Sequence, residues 1–68
     1  MNEKLKRLTS ERVNVQKQLN QEWLNYRTAL NSGKEYNEQK KIWLQIKEMQ
    51  KKMNNITNEI DNLLNSGN

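Results

Sequence analysis

The chain has 68 residues, a hydrophobic fraction of 32% and a net charge of +4, with no Cys, His, Pro or Phe. This length allows one small domain over residues 1–68, and the missing Cys and His exclude a disulfide framework and a Cys/His metal site. Chains of this size bury only about 60% of the surface they expose when unfolded, so a second copy or another partner is expected to add support.

Leu, Glu, Gln, Lys and Arg dominate, and only two Gly interrupt them, which is a helical vocabulary. The first predicted helix covers about residues 3–31. Its apolar stripe is Leu8, Val15, Leu19, Trp23, Tyr26 and Leu30, broken by Arg12. Leu8, Leu19 and Leu30 recur every eleven residues, which suits a straight helix better than a left-handed supercoil. Arg12 either covers core with its methylenes or meets a carboxylate of a second chain, with Glu59 and Asp61 as the candidates.

The turn is predicted at about 32–34, within Leu30-Asn31-Ser32-Gly33, and the same four residue types return as Leu64-Asn65-Ser66-Gly67. Gly is favoured just past a helix end, so Gly33 and Gly67 read as two helix stops. Ser32-Gly33-Lys34-Glu35 also has the S-x-x-E spacing of a capping box, which starts a helix. A stop beside a start predicts an antiparallel hairpin joined near residues 31–35. Gly33 by itself does not exclude one continuous helix of about 60 residues, since an interior Gly costs only about 1 kcal/mol; the capping box favours the hairpin.

The second predicted helix covers about 35–65. Ile42, Ile46, Met49, Met53, Ile56, Ile60 and Leu63 alternate spacings of four and three, an unbroken heptad seam. The two helices are therefore expected to pack over part of their length and diverge over the rest. Laid over each other, residues 1–34 and 35–68 match Leu8 with Ile42, Val15 with Met49 and Leu30 with Leu64. That fits either a duplicated unit or two helices with the same needs. The period equals that of tetratricopeptide repeats, but their residue pattern is missing.

Folding about Gly33 brings Trp23 level with Trp43, Leu19 with Ile46 and Arg12 with Met53. Ile42, Trp43, Leu44 and Ile46 then surround the second helix, which one neighbouring helix cannot cover. Two all-α hairpins are expected to dimerise into a four-helix bundle with the Trp residues as its central layer; the functional reading is that the patch docks a different protein, and both can hold for one molecule. Trp23, Leu24, Tyr26, Tyr36, Trp43 and Leu44 are the candidate protein-interaction residues, because Trp and Tyr are favoured interface anchors.

No enzyme is expected: no base lies near Ser10, Ser32 or Ser66, and phosphate-binding and EF-hand loops are missing. No cofactor is expected either. Lys40, Lys47 and Lys51 share one helical face and are candidate nucleic-acid contacts. Glu35, Glu38 and Glu48 interrupt that basic run and the excess is small, so an ordinary solvated face is the favoured account. The longest apolar run, Ile42-Trp43-Leu44, is far short of the roughly 20 residues a membrane span needs. Membrane contact is not expected, and with no cysteine a cytoplasmic location is.

In size, Asn/Lys-rich composition and helical simplicity the chain resembles small helical regulators encoded by phages of low-GC Gram-positive hosts. One of these, from a temperate tectivirus, binds the SOS repressor LexA. The resemblance spans the whole chain and rests on no motif, so no binding residue is carried over. It implies a non-enzymatic regulator whose target is a larger protein of the transcriptional-repressor class. Rop-type nucleic-acid-binding hairpin dimers are similar in architecture only, and mark the alternative function. The Ser-x-Glu-Leu-Asp motif of the small sporulation phosphatases is absent.

Overall fold

The computed structural model describes residues 2–66. Two helices, α1 (Glu3–Asn31) and α2 (Tyr36–Ser66), account for them, with no strand among the described residues. Helices of this length measure about 43–46 Å, which matches the long dimension of a molecule 52 × 14 × 11 Å in Cα extent. The helices therefore lie side by side, and early α1 meets late α2: Leu8 and Val15 form one cluster with Ile56, flanked by Met53, Ile60 and Leu63. The chain is an antiparallel helical hairpin.

The Asn2 side chain starts α1 by accepting from the Lys4 and Leu5 amides at 2.9 and 3.3 Å, which satisfies two donors that have no partner within the helix. At the other end Gly33 takes φ +68°. The Lys34 amide donates to the Ala29 carbonyl at 3.1 Å, and the Gly33 amide to Leu30 at 3.4 Å. This pair of bonds is a Schellman closure, and it needs the left-handed residue that Gly supplies without strain.

The capping-box expectation fails here. The Ser32 hydroxyl donates backward to the Thr28 carbonyl at 2.7 Å, so Ser32 finishes α1 and does not open α2. The Glu35 carbonyl accepts the first amides of α2, from Glu38 at 3.0 Å and Gln39 at 3.1 Å. The reason is conformational: Gly33 cannot be the left-handed terminator of one helix and the first residue of the next. Lys34 and Glu38 add an exposed ion pair at 3.4 Å, and Gln39 Nε2 donates to the Lys34 carbonyl at 2.8 Å. The second expected stop, Gly67, lies outside the described residues.

The α2 seam is as its spacing predicts: Ile46 and Ile56 are buried, and Ile42, Met49, Met53, Ile60 and Leu63 are half-buried. The expected stripe of α1 needs correction. Leu8, Val15, Leu19 and Ala29 are buried there, with Leu5, Glu22 and Tyr26 half-buried. These positions alternate three and four apart once exposed Arg12 is counted, so α1 also follows a heptad and the helices do not diverge. Trp23 and Leu30 leave the seam and lie on its flank, 40% and 47% exposed. Contact along the whole of α2 requires a 3.5-residue period from its neighbour. Beside the tight turn the small Ala29 is buried in place of Leu30.

Candidate functional site

The predicted level of Trp23 and Trp43 is real, and it carries the most distinctive chemistry of the molecule. Their ring centroids are 5.9 Å apart with planes at 74°. Tyr26, one turn along α1, stands 6.2 Å from Trp23 and 5.7 Å from Trp43. The Trp23–Trp43 and Trp23–Tyr26 contacts are edge to face and are worth about 0.5–1.5 kcal/mol each beyond the area they bury, while the Tyr26 and Trp43 planes are tilted at 44°. The three rings hold one another in place on a single broad face of the hairpin.

On α2 the spacing Tyr36, Gln39, Lys40, Trp43 places four residues on neighbouring turns. With Tyr26 from α1 they line a shallow groove beside the rings. Tyr36 is 73% exposed, so it forms an open wall. Lys47, one turn beyond, sets its Nζ over the Trp43 ring at 5.6 Å from the centroid, a cation–π contact. Sequence reasoning missed Gln39, although its spacing from Tyr36 and Trp43 was a signal for it.

Leu24 and Leu44 do not join this cluster. Each lies about 160° around its helix from a seam residue, Tyr26 and Ile46 respectively, at about 100° per residue. They therefore face outward on opposite edges of the hairpin, at 54% and 52% exposure. Leu44 falls instead on the stripe Lys40, Leu44, Lys47, Lys51, spaced four, three and four. All three lysines of that stripe are exposed. Lys40 and Lys47 thus belong to both the basic edge of α2 and the aromatic face, whereas Lys51 extends away from it.

The opposite broad face differs in kind. Its groove near the turn is lined by Glu22, Asn25, Thr28, Lys34, Glu38 and Gln45 around Ala29 and Ile42. A third groove, further from the turn and on the Trp23 side of α1 because Thr9 and Gln16 precede Trp23 by two heptads and one, runs between Thr9, Arg12, Val13, Gln16, Lys17 and Met53. Arg12 is exposed there beside the Met53 level, with no carboxylate in ion-pair range among the described residues. No group of three or more acidic, His or Cys side chains that could hold a metal occurs among the described residues. Among the described residues no helix is long and apolar enough to cross a membrane.

No protein-family model, no curated protein and no solved structure matches the chain.

Proposed function

We propose that this chain is a non-enzymatic regulatory protein that acts by binding a larger protein through the aromatic face of the hairpin. One observation carries the reading: Trp23, Tyr26 and Trp43 are gathered on one face and left partly exposed where α1 and α2 meet. Rigid aromatic residues with few rotatable bonds lose little entropy on docking, and they dominate interface energetics. A small protein without its own chemistry can regulate by favouring one state of its target. The resemblance to small phage regulators supports a transcriptional repressor as that target and the cytoplasm as the location.

The test compares immobilised full chains carrying Trp43→Ala or Leu24→Ala with the unaltered chain, in extracts of a low-GC Gram-positive host. The expected result is a protein retained by the unaltered chain and by Leu24→Ala but lost by Trp43→Ala, with helicity by circular dichroism preserved in both. Equal retention by all three would remove the aromatic face as the docking site.

A homodimer in the form of a four-helix bundle is a second reading of the same face. It is favoured by the accessible surface of 5510 Å², whereas a compact monomer of 8.2 kDa exposes about 4,500 Å². Binding to a nucleic-acid backbone is a third reading, favoured by the exposed stripe of Lys40, Lys47 and Lys51.

A further inference from the structure

We infer that the occupant of the aromatic face is an acidic amphipathic segment of a partner protein, with an apolar anchor for the groove and carboxylates for Lys40 and Lys47. This rests on the docking reading above and names the chemistry of its partner.

Charge selects the partner. The groove lined by Tyr26, Tyr36, Gln39, Lys40 and Trp43 contains no acidic residue. Among the described residues neither Lys40 nor Lys47 has a carboxylate in ion-pair range, and Glu38, the acid nearest Lys40 in sequence, is paired with Lys34. Lys47 rests on Trp43 instead. Both ammonium groups are therefore available at the edge of an apolar surface. The groove on the opposite face contains Glu22 and Glu38, so the basic aromatic character belongs to one side only. Electrostatic complementarity of this kind governs partner choice and encounter rate.

A second copy fits the face less well. Trp23 and Trp43 lie about six and eight residues nearer the turn than the midpoints of α1 and α2, which is about 9–12 Å along the axis. They cannot be the central layer of a fully overlapped antiparallel bundle, because each cluster would face the far end of the other hairpin. Pairing with both turns at one end does bring ring to ring. A two-fold axis along the hairpin then sets α2 of one copy against α1 of the other, and the groove residues of the second copy offer Lys40 and Lys47 no carboxylate. Nucleic acid is disfavoured by the rings themselves. Stacking needs open ring faces, but Trp23, Tyr26 and Trp43 pack on one another and Lys47 covers Trp43, which leaves Tyr36 as the open ring of the groove.

The experiment titrates the full chain, with its intrinsic Trp emission as the readout, against three synthetic helical peptides. They share one leucine stripe and differ only in flanks of Glu, Gln or Lys; a single-stranded oligothymidylate is the fourth probe. The Glu peptide is expected to bind about tenfold more tightly than the Gln peptide, the size of a few exposed charge contacts, with the Lys peptide weaker still. In the double variant Lys40→Glu, Lys47→Glu the order should reverse in favour of the Lys peptide, at unchanged helicity. Equal binding of the Glu and Gln peptides would overturn the acidic partner while leaving protein docking intact. Tighter binding of the oligonucleotide than of any peptide would overturn both. Failure of every probe, with the chain dimeric throughout, would assign the face to a second copy and overturn the acidic partner.

Discussion

At the residue scale, position within the seam decides what a side chain does, even between near neighbours. Ile46 has no exposed surface, while Leu44, two residues earlier, is 52% exposed. Ile46→Ala should cost about 2–5 kcal/mol, the usual range for emptying a buried aliphatic site. Cores of this size rarely supply more than about 3–5 kcal/mol in total, so the variant should be largely unfolded. Leu44→Ala should stay within about 0.5 kcal/mol of the parent. Urea titration followed by circular dichroism separates the two, and equal midpoints would mean that Ile46 does not support the packing of the two helices. The same contrast explains Trp23 and Trp43, whose flanking positions leave their rings both packed and accessible. Their pairing was legible in the sequence, because folding about Gly33 fixes levels by simple counting.

At the scale of elements, the turn concentrates the conformational constraint. Gly33 adopts φ +68°, and a Cβ built there meets nothing within 4 Å. Gly33→Ala should therefore destabilise through backbone strain alone, by about 1–2 kcal/mol. Gly33→Asn should lose less, since Asn tolerates the left-handed region better. Thermal melts of the two variants provide the check, and an alanine variant as stable as the parent would contradict the Schellman closure. The α2 seam was legible because every seam position is apolar. The α1 seam was not, because two of its positions are Glu22 and exposed Arg12, and hydropathy assigns them to solvent. The stripe drawn through Trp23 and Leu30 followed hydrophobicity where phase and side-chain volume govern.

At the scale of the whole molecule, a long thin hairpin exposes more surface than its mass requires, and one face gathers the rings and two unpaired lysines. If that face is basic and awaits an acidic partner, the free chain should pair with itself only weakly. Light scattering over a concentration series should give one-chain mass on dilution at low salt, and association should strengthen as salt screens the lysines. A tight dimer at every concentration and salt would mean that a second copy covers the rings, and would move the partner site to the outer faces and helix ends. By itself the sequence determined the helical class, the heptad seam of α2 and, once the chain is folded at Gly33, the level of the two Trp residues; it favoured the hairpin through a capping box that Ser32 does not form. These follow from propensity, period and counting along the chain. Only the tertiary structure decided that Ser32 closes α1, that Glu22 and Ala29 replace Trp23 and Leu30 in the seam, and that Lys40 and Lys47 border the rings while Leu24 and Leu44 point away. Each of these depends on the rotational phase of one helix against the other, and that phase is set by close packing between residues far apart in the chain.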